Sequence, residues 1–316
     1  QSMDNAPQLW DAHPAYFDGK APLAYESVTS PTNPNMVVGK VLSTSLDDID
    51  TIVTNAKDAW QEWSTQSTEH RAKILENIAH ALEKNAHELY KLLILEAGKT
   101  WQDAVDEVRE AVDFCYYYAH QARVSFSDPI ECQGYTGESN ILTYHSRGIV
   151  LCISPWNFPL AIFLGQVVAA LVTGNAVLAK PAEQTPLIAA KAQALCEQAG
   201  LPKHVFSLVP GDGANIGAAL VSHPDVKAVV FTGSTQTARY INLALANRPG
   251  EIIPLIAETG GLNAMIVDSS ALLEQVSVDV LMSAFGSAGQ RCSALRVLYI
   301  QDDIYESAMT MLKGAL

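Results

Sequence analysis

The sequence predicts an α/β protein. The expected architecture is a doubly wound, parallel, Rossmann-like sheet with N-terminal helices and a bridging hairpin, followed by the beginning of a second, incomplete α/β domain. Three observations predict it. Short apolar runs of strand length alternate with runs of helical period between residues 149 and 257, joined by short connections. The strand candidates are apolar at nearly every position, as strands covered on both faces are. The chain has 316 residues, 48% hydrophobic and 17% charged, enough for a large core.

The elements follow in order. Ile49, Ile52, Val53, Ala56, Ala59, Trp60 and Trp63 recur at helical spacing behind the acidic start Asp47–Asp48. A second helix is expected from about Glu69 to Ala97, closed by Gly98 in the position that favours glycine after a helix. A third runs from about Trp101 to Arg123. Residues 131–150 read as a hairpin with Gly-rich turns. Strands are expected at 149–153, 176–180, 205–209, 227–232 and 253–257, with helices at about 160–172, 186–199, 213–222 and 236–246.

From Gly148 to Ala179 there is no charged residue, a length that would admit a membrane span. Pro155, Asn157 and Pro159 break that run early, and Gly174–Asn175 break it again, so it reads as a buried βαβ unit. The expected domains are 1–258, with the hairpin at about 129–148, and 259–316. Gln1-Ser2-Met3 looks like a protease-site remnant and carries no fold information.

Composition excludes several classes. A net charge of −14, with 20 basic and 34 acidic residues, leaves no basic face for nucleic acid. Five cysteines at irregular spacing argue against a disulfide framework and for a reducing cytoplasmic compartment. No CxxC, HExxH or acidic calcium loop supports a metal site.

Doubly wound sheets bind ligands at the carboxyl ends of their strands. Those ends read "SPWNFP", "KPAEQTP", "PGDGANIG", "FTGST" and "AETGG". Gly211-x-Gly213 departs from the GxGxxG spacing and follows the third strand, so a tight turn opening a helix is the favoured reading. "TGST" offers Gly233 for close backbone approach and hydroxyls on Ser234 and Thr235 before a helix, which suits phosphate as well as a plain cap. Glu258 could be a solvated carboxylate, Asn157 a turn former, and Lys180 with Glu183 an exposed ion pair. Cys292 sits in "FGSAGQRCSAL" among small residues rather than the bulky neighbours of a core cysteine, although a lone cysteine is more often inert core than nucleophile.

In order and spacing, "SPWNFPL", "AVLAKPAEQTP", "FTGST", "AETGG" and "GQRCSA" resemble the aldehyde dehydrogenase superfamily, with Glu258 and Cys292 34 positions apart. "ETGGLNAMIVDSSAL" and "SAFGSAGQRCSALRVLYIQDD" look most like the glutamate-semialdehyde (pyrroline-carboxylate) dehydrogenase module of bacterial bifunctional proline-utilisation proteins. The resemblance runs from the N-terminal helices to the end of the chain. Ala238 departs from it where many relatives have glycine.

The resemblance implies NAD-dependent oxidation of L-glutamate γ-semialdehyde. Cys292 would be the nucleophile, Asn157 an oxyanion donor with the Cys292 backbone N–H, and Glu258 the base that activates water. It implies Lys180 and Glu183 at the adenosine ribose, Ser234 at the pyrophosphate, and Ile153, Trp156, Gly213, Thr232 and Gly233 as further cofactor contacts. A carboxylate at the ribose favours NAD over NADP. FAD would belong only to the proline dehydrogenase domain of that branch, expected upstream of this chain. The family's catalytic domain continues for well over a hundred residues past its nucleophile and makes a homo-oligomer possible. This chain is therefore expected to be a fragment with little activity alone.

Two other classes stay open on sequence. A thiol hydrolase or acyltransferase would want a histidine, and none follows His223. A non-catalytic cofactor-binding module would bind NAD without turnover.

Overall fold

A computed structural model describes residues 9–14 and 25–316. Gln1–Ser2–Met3 lie outside the described residues. The chain divides into a larger unit, residues up to Thr232 together with Gln236–Ala257, and a smaller one, Gly233–Thr235 with Glu258–Leu316.

The larger unit opens with a three-stranded sheet of β1 (Trp10–Ala12), β2 (Glu26–Ser30) and β3 (Asn33–Val41) in the order β1-β3-β2. Those strands precede the first element that the sequence pattern identified. Their burial is mixed, with exposed residues in irregular runs that register shifts interrupt, so no clean period-2 signal exists. Four helices follow: α1 (Ile49–Ser64), α2 (Thr68–Lys84), α3 (Ala86–Ala97) and α4 (Trp101–Phe126).

The single helix expected over 69–97 is in fact two. Asn85 leaves helical geometry at φ −103°, ψ 14°, and its side-chain amide donates to the Ala81 carbonyl at 2.8 Å. An asparagine offers the backbone such a local alternative to the helical ladder, which a hydrophobic period cannot reveal. Gly98 ends α3 with φ 67°, a left-handed conformation that a side chain would oppose.

The hairpin is β4 (Ile130–Cys132) against β5 (Asn140–Leu142), antiparallel and shorter than the pattern suggested. The uncharged stretch becomes β6 (Ile149–Ile153), α5 (Ala161–Val172) and β7 (Ala176–Lys180). Among the described residues no helix is long and apolar enough to cross a membrane. The chain continues through α6 (Pro186–Gln198), β8 (Phe206–Leu208), α7 (Ala218–Ser222), β9 (Val226–Gly233), α8 (Thr235–Asn247) and β10 (Leu255–Thr259).

The five strands order as β10-β9-β6-β7-β8, and β6, β7, β8 and β9 pair in parallel. Every residue of β6 and β7 is buried. Alternation along them divides the core into two layers. Val150, Cys152, Val177 and Ala179 join the cluster built on α2–α6, while Ile149, Leu151, Ile153, Ala176 and Leu178 join that of α1, α7 and α8. Helices on both faces are the physical reason these strands read as continuous apolar runs. Chain order along the sheet reverses at β6, which places a ligand crevice at the carboxyl ends of β6 and β9.

In the smaller unit β11 (Asn263–Val267) and β12 (Leu295–Ile300) pair in parallel, with α9 (Leu273–Phe285) as the connection and α10 (Tyr305–Ala315) after them. Val280, Leu295 and Leu312 form its buried centre.

Candidate active site

The larger unit carries a cavity of 430 Å³, walled mainly by apolar side chains of α7 and α8, with Ile153 and Lys180 where β6 and β7 end. Lys180 is 4% exposed. Its ammonium donates to the carbonyls of Gly211 (2.8 Å) and Pro181 (3.0 Å) and lies 3.4 Å from Glu183 Oε1. Burial pushes the Lys180 amine below its usual range, and the Glu183 carboxylate pulls it back up.

Glu183 Oε1 also accepts the Gly213 N–H at 2.7 Å. Gly211, at φ 155°, bends the chain just ahead of the helical turn over Gly213–Gly217. Asp212 caps the following turn by accepting the Asn215 N–H at 2.7 Å, and that bond together with the Asn215 side chain holds its carboxyl below the ordinary range. Gly213 lines the cavity beyond that turn. At the end of β9, Thr232 Oγ accepts from Gln166 Nε2 at 2.8 Å.

The loop from Ser154 to Leu160 carries Trp156, 43% exposed, and the half-buried Asn157. Lys99 Nζ donates to the Asn157 carbonyl at 2.5 Å and sits 4.3 Å from the centre of the Phe158 ring. Glu107, on α4, forms an ion pair with Lys99 at 2.9 Å and accepts the Leu160 N–H at 2.9 Å. Burial pushes the Glu107 carboxyl up, opposed by the Lys99 ammonium.

In the smaller unit α9 ends at Phe285, and Ser287, Ala288 and Gly289 follow with φ of 52°, 55° and 68°. Left-handed geometry at two non-glycine residues stores strain just before Cys292. Arg291 turns its guanidinium back to the Met282 and Ser283 carbonyls at the end of α9, which fixes the loop. Asn263, at the start of β11, donates to the carbonyls of Cys292 (2.6 Å) and Ala294 (3.0 Å). Cys292 is exposed, while Cys115, Cys152 and Cys196 are buried. Burial pushes the Cys115 thiol to about 12 and raises the other two, so none of the three can serve as a thiolate near neutrality. Cys132 is also exposed, but it lies on the hairpin strand β4.

Residues 20–316 match the model described as the aldehyde dehydrogenase family. The chain belongs to the aldehyde dehydrogenase family. It is 48% identical to the bifunctional protein PutA of Salmonella typhimurium over 99% of this chain and 23% of that protein. It is 38% identical to the 1-pyrroline-5-carboxylate dehydrogenase of Geobacillus thermodenitrificans over 96% of this chain and 59% of that one. A crystal structure of a Bradyrhizobium japonicum proline utilization A variant superposes with a TM-score of 0.84 at 55% identity, covering 86% of this chain and 28% of that one. The chain thus spans only part of the length of these family members.

Within the family fold, the larger unit brings Lys180, Glu183 and Gly213 into one hydrogen-bonded group, with Ile153 lining the same cavity. Trp156, Asn157 and Thr232 lie on neighbouring strand ends and loops of that unit. Gly233, Ser234, Glu258 and Cys292 belong to the smaller unit. Glu258 is exposed, on β10. Lys99, Glu107 and Asn263 were not expected. A sign of Glu107 was present, because it interrupts the Ala104–Val108–Ala111–Cys115 stripe that α4 buries.

Proposed function

We propose that this chain is the cofactor-binding and nucleophile-bearing part of an enzyme that oxidises L-glutamate γ-semialdehyde to L-glutamate with NAD, in proline catabolism. The carrying observation is the buried Lys180 ammonium coupled to Glu183 and the Gly213 N–H at an apolar 430 Å³ cavity, on a chain that also presents an exposed thiol in a small-residue loop. The names of the PutA and 1-pyrroline-5-carboxylate dehydrogenase relatives supply the substrate.

The residues fit NAD: the apolar walls suit an adenine ring, and Lys180 and Glu183 suit ribose hydroxyls. The Glu183 carboxylate disfavours a 2′-phosphate. When bound, the nicotinamide accepts the hydride. Cys292 Sγ, as thiolate, adds to the aldehyde carbon and the carbonyl electron pair moves to oxygen, giving a thiohemiacetal anion. The Asn157 side-chain amide and the Cys292 backbone N–H donate to that oxygen; one such donor is worth about 10²–10³ in rate. The carbonyl reforms as hydride departs and leaves a thioester on Cys292. Glu258 takes a proton from water, which attacks the acyl carbon; the C–S bond breaks and the thiolate returns.

Five free thiols suit a reducing cytoplasm. The exposed Ile130, Ile141 and Leu142 of the hairpin suit contact with another copy of the chain.

The test uses the whole protein with glutamate semialdehyde and NAD, read by the absorbance of reduced nicotinamide. Cys292→Ala should abolish hydride transfer while NAD still binds. Residual transfer above about one part in a thousand would remove Cys292 from the nucleophile's role.

A further inference from the structure

The loop that presents Asn157 is anchored at two points to one buried ion pair. On one side Lys99 Nζ donates to the carbonyl of Asn157 itself, at 2.5 Å. Three residues on, Glu107 Oε1 accepts the N–H groups of Leu160 (2.9 Å) and Ala161 (3.4 Å), where α5 begins. The two anchors meet at 2.9 Å, with side chains 8% and 0% exposed. Phe158 lies between the tethered positions, against the Lys99 ammonium.

A buried charge pair is a costly way to hold a loop. Replacing such a pair by apolar residues is often neutral or stabilising, so stability alone does not account for it. What the pair does here is specific. Lys99 leaves α3 just after Gly98, Glu107 projects from α4, and together they fix the backbone from Asn157 to Ala161 against both helices. Neither reaches the cofactor cavity. The side-chain amide of Asn157 keeps its direction only if its own backbone does. A donor misplaced by about 1 Å can cost on the order of 10²-fold in rate.

We propose that Lys99 and Glu107 are positioning residues for the oxyanion donor, and that their ion pair sets the rate of hydride transfer through the Asn157 backbone. This rests on the role given to Asn157 above. It adds two residues outside the cofactor and thiol sites to the machinery of the reaction.

The test compares Lys99→Met, Glu107→Gln, the double variant and Asn157→Ala in the whole protein. Pre-steady-state hydride transfer is measured beside NAD affinity and melting temperature. Lys99→Met should slow hydride transfer at least about tenfold with NAD affinity unchanged. The double variant should be no slower than Lys99→Met, because both changes act through one loop. Lys99→Arg, which retains a cation, should recover part of the loss. If Lys99→Met does not fold, Glu107→Gln decides: it keeps an acceptor for Leu160 and removes the charge, and a slowing of hydride transfer at unchanged NAD affinity is the expected result. Asn157→Ala slow but the folded Lys99 and Glu107 variants within twofold of wild type would overturn the proposal. Asn157→Ala at the wild-type rate would instead overturn the role of Asn157. Loss of NAD affinity in step with rate would make the pair merely structural.

Discussion

Asn157 and Glu258 should fail in different ways, because they serve different halves of the proposed reaction. Asn157→Ala removes a donor used while charge develops on oxygen, so hydride transfer itself slows. Glu258→Gln spares that step and impairs thioester hydrolysis, so a burst of reduced nicotinamide outruns steady turnover. Rapid-mixing traces of the two variants distinguish them; equal loss of burst rate would undo the division of roles. The side chains proposed to carry the chemistry stand out at this scale because the groups around them are unusual: a cysteine among Gly, Ser and Ala, an asparagine between Trp156 and Phe158. Asn263 was not legible. Its function is to hold the Cys292 and Ala294 carbonyls, a contact created only when β11 and β12 pair. Arg291 is next to Cys292 in sequence, yet its guanidinium bonds the end of α9. Adjacency in sequence does not give direction.

Elements were legible where one physical rule governs them. β6 and β7 match their expected limits because both faces are covered and Gly148 and Gly174, at φ 126° and 85°, punctuate the run. The α2–α3 break and the three N-terminal strands were not, since a side-chain bond at Asn85 and an irregular register leave no periodic trace. A buried carboxylate on α3 shows how two elements are joined. Glu96, 3% exposed, accepts the Leu187 and Ile188 N–H groups of α6 at 2.7 and 2.9 Å. Burial, larger than these bonds, pushes its carboxyl up to about 8. A raised folded-state value means the folded protein holds its proton more tightly than the unfolded chain. That contribution to stability is complete below about 4.5, the ordinary value, and is lost as pH rises through about 8. Glu96→Gln should flatten this part of the profile. Melting temperatures of wild type and variant between pH 5 and 9 provide the check, and parallel curves would assign the slope to other groups.

At the scale of the whole molecule, binding energy and fold stability are linked, and the placement of the residues proposed to hold the cofactor makes the link testable. The polar corner of the cavity and both of its helical walls belong to the larger unit: Lys180, Glu183 and Gly213 at strand ends, Gly217 and Val221 on one side, Thr237 and Ile241 on the other. A ligand held there adds its binding free energy to the folded state only, about 2.7 kcal/mol at a hundred times its dissociation constant. NAD should therefore raise the melting temperature by several degrees. The 2′-phosphate of NADP would meet the Glu183 carboxylate, which already shares its charge with Lys180 at 3.4 Å, so NADP should raise it less at equal concentration. Glu183→Ser removes the repulsion and also frees the Gly213 N–H, so the NAD shift should shrink and the gap between cofactors should narrow. Melting curves of wild type and variant with each cofactor measure both effects. An unchanged ratio would place the ribose away from this carboxylate, even if NAD itself still stabilises the protein.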